Sequence, residues 1–183
     1  FQKTVNPRPR CVAGYPMAEF ATPPTSDPIA AMRWQRQAPA HSPWLHEEVG
    51  RRMEERLAWI MQKPAAWCSW EPLYGGLAVH QRVAERYPQS ALSIVETQPS
   101  HEAVLREQLS SPWWSMSRWR QPRLHWGQPE AGSVNMVWAN MALHNHPNPQ
   151  QLLQTWHQLL AVDGFVMFSC LGPDTLAEVR AVY

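Results

Sequence analysis

The chain has 183 residues, a formal net charge of +1 and 17% charged residues. That length accommodates one substantial core, so one folded domain is expected, and so even a balance of charge gives no bulk electrostatic attraction to nucleic acid or to an anionic membrane. Cys11, Cys68 and Cys170 lack metal-ligand spacing, and the last two fall in predicted buried strands, as core thiols of a reducing compartment do.

The cytoplasm is the expected location. No apolar run reaches the roughly 18 residues needed to cross a bilayer, and no charged-then-apolar leader opens the sequence. The sequence starts at Phe1 without a methionine and ends at Tyr183 inside a helical pattern, so a longer natural chain is expected.

Residues 1–41 carry seven prolines, Pro7, Pro9, Pro16, Pro23, Pro24, Pro28 and Pro39, and little periodicity. They are expected to be irregular, with a short helix around Pro28 to Arg36. Ser42-Pro43 then marks a helix start, the hydroxyl accepting from a first-turn N–H and the proline suiting the first helical position. That helix is expected to reach about Met61, with Leu45, Val49, Met53, Leu57 and Ile60 or Met61 inward. Glu47 with Arg51 and Glu48 with Arg52 form i,i+4 pairs on its wet face.

Ala65 to Trp70 is the first strand, followed by the turn Glu71-Pro72-Leu73-Tyr74-Gly75-Gly76 and a helix carrying Val79, Val83 and Tyr87. Two adjacent glycines after a strand suit either a tight turn or close approach of a ligand. Ala91 to Val95 is the second strand and ends in Glu96, about 20 residues after Gly76, where dinucleotide-type folds place an acid that accepts from ribose hydroxyls. The alternative is an exposed loop glutamate.

Ser100 caps a helix with Val104, Leu105 and Leu109 inward. Trp113, Trp114, Trp119 and Trp126 are then interleaved with Arg118, Arg120 and Arg123. Such a stretch can stack on bases or offer a basic surface to an acidic carrier protein; equally, its rings can cover a sheet edge while the arginines stay in water. Leu124 to Trp126 is a short third strand.

Val134, Met136, Val137 and Trp138 form a fourth strand, ending at Asn140. After Pro147-Asn148-Pro149, Leu152, Leu153, Trp156, Leu159 and Leu160 recur at helical spacing. Asp163-Gly164 stops that helix, Gly164 to Leu171 is a fifth buried strand, and Pro173-Asp174 opens a helix with Leu176 and Val179. Strand, crossover helix and strand imply a parallel pair with a right-handed connection. His144-Asn145-His146 could begin a metal site, but further ligands are not evident, and a structural polar contact is the alternative.

Asn140, Leu143 and His144 after one strand, the Asp163-Gly164 turn, and Phe168-Ser169-Cys170-Leu171-Gly172-Pro173-Asp174-Thr175-Leu176 after the next resemble class I S-adenosylmethionine-dependent methyltransferases. They most resemble the biotin-pathway O-methyltransferases that esterify a malonyl group held on acyl carrier protein. The resemblance runs back to about Ser42.

It implies an α/β, Rossmann-like, doubly wound and mainly parallel sheet over residues 42–183, with helices on both faces and strands in the order third, second, first, fourth, fifth. It further implies S-adenosylmethionine as methyl donor, held by Glu96, Gly75, Gly76 and Glu71 with Asn140 and His144 nearby. Residues 1–41, with Trp34, Arg36 and His41, would cap that pocket. Acyl carrier protein is the implied partner, with neither nucleic acid nor membrane.

The family's G-x-G-x-G turn is reduced here to Gly75-Gly76, behind the bulky Pro72-Leu73-Tyr74. After the third strand only Glu130 is available to meet the adenine amino group. Two strands that cover the fifth in the family are missing, which implies self-association through that strand, poor solubility or a longer natural chain. Two functions therefore stand side by side: an O-methyltransferase, and a methyltransferase-like binding or structural protein without the cofactor.

Overall fold

The computed structural model describes residues 27–109, 123–172, 174–175 and 177–182. Most of the tryptophan and arginine stretch, Trp113, Trp114, Arg118, Trp119 and Arg120, lies outside the described residues, as does Cys11. In chain order the elements are α1 (Pro28–Gln37), α2 (Trp44–Arg56) with a 3-10 turn (Leu57–Trp59), β1 (Ala66–Trp70) and α3 (Pro72–Arg86). Then come β2 (Ala91–Val95), α4 (Pro99–Leu109), β3 (Leu124–Trp126), β4 (Val134–Ala139), a 3-10 turn (Leu143–Asn145), α5 (Pro149–Leu159), β5 (Leu160–Phe168) and α6 (Ala177–Val182).

The five strands form one sheet in the order β3-β2-β1-β4-β5, every pair parallel, as the resemblance implies. Alternation along each strand sends side chains to opposite faces, so β1 and β4 feed two cores. Trp67, Met136 and Trp138 pack on one face with Met53 of α2, Val79 and Val83 of α3, and Leu105 of α4. Cys68, Trp70, Val137 and Ala139 pack on the other with Leu152, Trp156 and Leu159 of α5. Trp67, Trp138 and Trp156 are all but fully buried, and truncating any one of them to Ala would cost about 3 to 5 kcal/mol.

Several local expectations change. The Ser42 hydroxyl does not cap α2; it accepts from the Leu77 N–H at 2.8 Å and donates to the Leu73 carbonyl at 2.7 Å, across to α3. Glu47 leaves Arg51 for the same helix, accepting from the Ala78 and Val79 N–H groups at 3.0 and 3.1 Å. Arg51 turns instead to Glu48 and Glu55, and Arg52 keeps its pair with Glu48. α2 also stops at Arg56, where the chain tightens into 3-10 geometry, and Met61 beyond that turn is 92% exposed; Leu45, in the first turn of α2, is 43% exposed rather than inward.

At the other end of the sheet, β5 begins at Leu160, directly after α5. Asp163-Gly164 is therefore not a helix stop but an interruption within the strand, with Asp163 at φ 63° and a register shift opposite Val134 and Met136. As an edge strand β5 is only partly buried; Phe168 and Leu171 are exposed, and so is Cys170, which lies beyond the strand rather than in the core. Leu153 of α5 is exposed too, while Asn148 caps that helix by accepting from the Gln151 N–H at 3.0 Å. The helix expected from Pro173 starts at Ala177. Among the described residues no helix is long and apolar enough to cross a membrane.

Candidate functional site

In an open parallel sheet, ligands bind in the crevice beyond the carboxyl ends of the strands, near the point where strand order reverses. Here that reversal lies between β1 and β4, and a small, partly open cleft sits beside it at the ends of β1 and β2. Glu71 and Glu96 line it from those strand ends, Thr97, Gln98 and His101 from the β2–α4 side, Tyr74 from α3, Asn145 from the 3-10 turn after β4, and Trp34 and Ala38 from α1 and its end.

Glu96 is buried, not an exposed loop acid; its side chain is 2% accessible. Backbone N–H groups of Gln98, Leu73 and Thr97 bond to it, yet its Oε2 is buried without any partner. Burial, and then the charge of Glu71, push its carboxyl up to about 8, against those backbone bonds. His101 stands alongside, its Nδ1 3.8 Å from Oε1 while its Nε2 sits 3.3 Å from the Ala38 carbonyl.

Glu71 has left-handed backbone, φ 48° and ψ 52°, a conformation that non-glycine residues adopt at a cost. Its N–H continues the β1–β2 ladder to the Val95 carbonyl at 2.8 Å, and its Oε1 accepts from the Thr97 hydroxyl at 2.6 Å. Burial raises its carboxyl above the ordinary range, with the Thr97 bond and the nearby His146 and His101 opposing.

The turn expected to stay open after Glu71 is helical from Pro72, since proline suits a first helical position and the Gly75 N–H already bonds to the Glu71 carbonyl at 2.9 Å. The helix breaks once, at Gly76, with φ 132° and ψ 92°. Gly75 and Gly76 are both buried against protein: a Cβ on Gly75 would sit 2.7 Å from the Asn140 carbonyl oxygen, just beyond β4, and one on Gly76 would sit 2.8 Å from the Val79 side chain of α3. Breaking there exposes the fresh N–H groups of Leu77, Ala78 and Val79, which Ser42 and Glu47 satisfy.

Asn140 ties this turn to the sheet. Its amide donates to the His46 carbonyl at 2.7 Å and to the Gly75 carbonyl, and its Oδ1 accepts from the Ser169 hydroxyl at 2.6 Å. His144 stands half-buried in the 3-10 turn, its Nδ1 enclosed without a partner, and burial followed by the neighbouring His46 lowers its tendency to protonate. His146 bonds locally, Nδ1 lying 2.8 Å from the Asn148 carbonyl. Among the described residues no group of three or more His, Cys, Asp or Glu could hold a metal ion.

Of the residues singled out from sequence, Glu71 and Glu96 line one cleft; Gly75, Gly76 and Asn140 form a neighbouring knot, and His144 stands beside His46, whose carbonyl Asn140 holds. Trp34 lines the cleft, but Arg36 and His41 border separate surface hollows. Glu130 is exposed in the loop before β4. Thr97, Gln98, His101 and Asn145 were not singled out; the signal for the first two was their place directly after the strand-terminal acid. Trp126, the described ring of the tryptophan and arginine stretch, packs against the core and carries the Arg106 guanidinium 4.1 Å above it.

No family model matches the sequence. The chain is 34% identical over 146 residues to a malonyl-acyl-carrier-protein O-methyltransferase of Laribacter hongkongensis (strain HLHK9), a match covering 76% of this chain and 48% of that one. It is 28% identical over 158 residues to the protein of the same name from Gallionella capsiferriformans (strain ES-2), covering 76% and 49%. The chain thus spans about half the length of the curated relatives it matches.

Among solved structures, the plantazolicin methyltransferases BpumL and BamL, each bound to a desmethylPZN analog and SAH, superpose with TM-score 0.51 at 10% identity. Each superposition covers 85% of this chain and 56% or 55% of the other. The chain is therefore a relative of the malonyl-acyl-carrier-protein O-methyltransferases and has the α/β, Rossmann-like fold of class I S-adenosylmethionine-dependent methyltransferases.

Proposed function

We propose that this chain forms the donor-binding part of an S-adenosylmethionine-dependent O-methyltransferase of the cytoplasm, its acceptor the carboxylate of a malonyl group on acyl carrier protein in biotin synthesis. The observation that carries the reading is Glu96 Oε2, a buried acceptor without a partner, at the end of β2 and on the wall of the cleft. A buried oxygen in that condition costs free energy until a donor reaches it, and the paired hydroxyls of a ribose suit it.

In this reading Glu96 holds the ribose, Glu71 offers a second acceptor, and Trp34 and Tyr74 exclude water around an adenine ring. Gly75 and Gly76 let α3 start close against Asn140 and so fix where Tyr74 and Glu71 sit, while the free Nδ1 of His144 is available to a polar edge of donor or acceptor. When bound, the donor would supply an electrophilic methyl group. A malonyl carboxylate is ionised at neutral pH, so the residues serve orientation and exclusion of water more than proton removal.

A second reading, a binding protein that no longer takes the donor, is favoured by one observation: Glu71 runs straight into a helix whose Tyr74 narrows the cleft. Calorimetric titration with S-adenosylmethionine and S-adenosylhomocysteine separates the two. Saturable heat at micromolar ligand supports the enzyme; silence at millimolar ligand supports the binding protein.

A further inference from the structure

β1 and β2 pair in parallel with Trp70 opposite Val95, so the residues that follow, Glu71 and Glu96, leave adjacent strands side by side. The Glu71 N–H to Val95 bond holds the two strand ends at ladder spacing, and both carboxylates line one cleft. Two buried like charges in such proximity cannot both ionise cheaply. Among the described residues, the groups facing them are the Thr97 hydroxyl and Gln98 from the β2–α4 turn, His101 from α4, Asn145 and His146 from the segment after β4, the Leu73 N–H and the Tyr74 side chain from α3, and Trp34 from α1. No lysine or arginine lines the cleft among the described residues.

One carboxylate oxygen, Glu96 Oε2, has neither a donor nor water-exposed surface. Beside it, Glu71 is held in a strained backbone conformation and oriented by Thr97.

We propose that Glu71 and Glu96 share one proton in the empty cleft and release it when a ligand bearing hydroxyl or ammonium donors enters, so that ligand binding and proton release are one event. The inference rests on the reading of this cleft as the methyl-donor site. The balance is simple: an O–H bond of the carboxyl pair breaks, the proton passes to buffer, and the freed carboxylate accepts from the ligand's own O–H or N–H. A proton-holding acid pair also sets the chemical class of ligand. Cationic or neutral molecules rich in donors are taken, and phosphate-bearing nucleotides are repelled.

The test has two arms on the full chain. In the first, carbon-detected NMR follows the glutamate carboxyls of the ligand-free protein between about pH 5 and about pH 9. One carboxyl step is expected near 8, far above the ordinary range of about 4.3, lost in Glu96→Gln and moved to lower pH in Glu71→Gln. In the second arm, S-adenosylhomocysteine is titrated calorimetrically in buffers of different ionisation enthalpy. Close to one proton released per ligand is expected at neutral pH, with affinity falling about tenfold for each pH unit below the step, and neither effect in Glu96→Gln.

If every carboxyl of the empty protein titrates in the ordinary range, proton sharing is overturned even where ligand binds. If the parent binds with buffer-independent heat, the coupling is overturned. If nothing binds although the carboxyl step is present, the donor-site reading is overturned and the coupling with it, while the shared proton of the empty cleft stands on the NMR arm.

Discussion

Asn140 and Glu96 stand at the carboxyl ends of the two strands that flank β1, and both side chains are buried. They differ in how their polar atoms are used. The Asn140 amide is fully engaged, donating to two carbonyls and accepting one hydroxyl. Glu96 keeps one oxygen with no partner. The contrast separates frame from site: a satisfied buried group rigidifies what surrounds it, whereas an unsatisfied one is a binding capacity awaiting a donor.

The largest expected effect comes from breaking the satisfied side. Asn140→Ala strands the His46 and Gly75 carbonyls and the Ser169 hydroxyl, and should cost about 3 kcal/mol, a fall in melting temperature of roughly 6 to 12 °C. Gly75→Ala attacks the same knot by overpacking, since its Cβ would press on backbone at 2.7 Å, and should cost about 1 to 3 kcal/mol. Thermal unfolding reads both. Variants that melt with the parent would show that the knot is not what holds α3 against β4.

Breaking the unsatisfied side should act on binding and on pH dependence. Glu96→Gln keeps the shape and loses the charge, which should weaken S-adenosylhomocysteine by on the order of 2 to 3 kcal/mol, about 30- to 150-fold. Stability should move the other way. Since the folded Glu96 carboxyl titrates near 8 and its ordinary value is 4.5, folding favours the protonated form. Its contribution is therefore fully present below about 4.5 and is lost as pH rises through about 8. The parent should melt progressively lower across that window, and Glu96→Gln should flatten the slope.

His80 gives the opposite sign. Buried and bonded to the Ser69 hydroxyl at 2.9 Å, it is lowered by burial from 6.5 to about 4. Its contribution is present above 6.5 and is lost as pH falls toward 4. A melting profile of His80→Gln that keeps the parent's acid limb would show that another group sets it.

The frame was more legible in the sequence than the site. Short apolar and aromatic runs mark β1, β2 and β4, because central strands carry their burial in their own residues, whereas β3 is legible only as a three-residue run at the other, exposed edge. β5 was misjudged as buried since burial at a sheet edge depends on neighbours that local pattern does not encode. Glu96 was found because a strand-terminal acid has a fixed place in this fold. His101 and Asn145 were missed because each reaches the cleft through a tertiary contact, and one histidine or one asparagine has no period. The glycine pair was legible as a demand for closeness, but what came close is Asn140.

The smallest expected effect tests the device that links frame to site. Ser42 was read as the cap of its own helix, and local sequence allows nothing else, yet its partner N–H belongs to Leu77, 35 positions on. Together with Glu47 it satisfies three N–H groups freed by the Gly76 break, and a carboxylate at a helix N-terminus also meets the positive end of the helix dipole. Ser42→Ala and Glu47→Gln should each cost about 1 kcal/mol.

The double variant should cost less than the sum, since one loosened turn serves both. Because that turn carries Leu73, whose N–H bonds to Glu96, loosening it should also disturb the carboxyl step of the empty cleft. A purely local cap would leave that step unmoved. Additive losses in thermal unfolding together with an unchanged carboxyl titration would show that α3 is anchored independently of the cleft, and that the frame does not tune the acid pair.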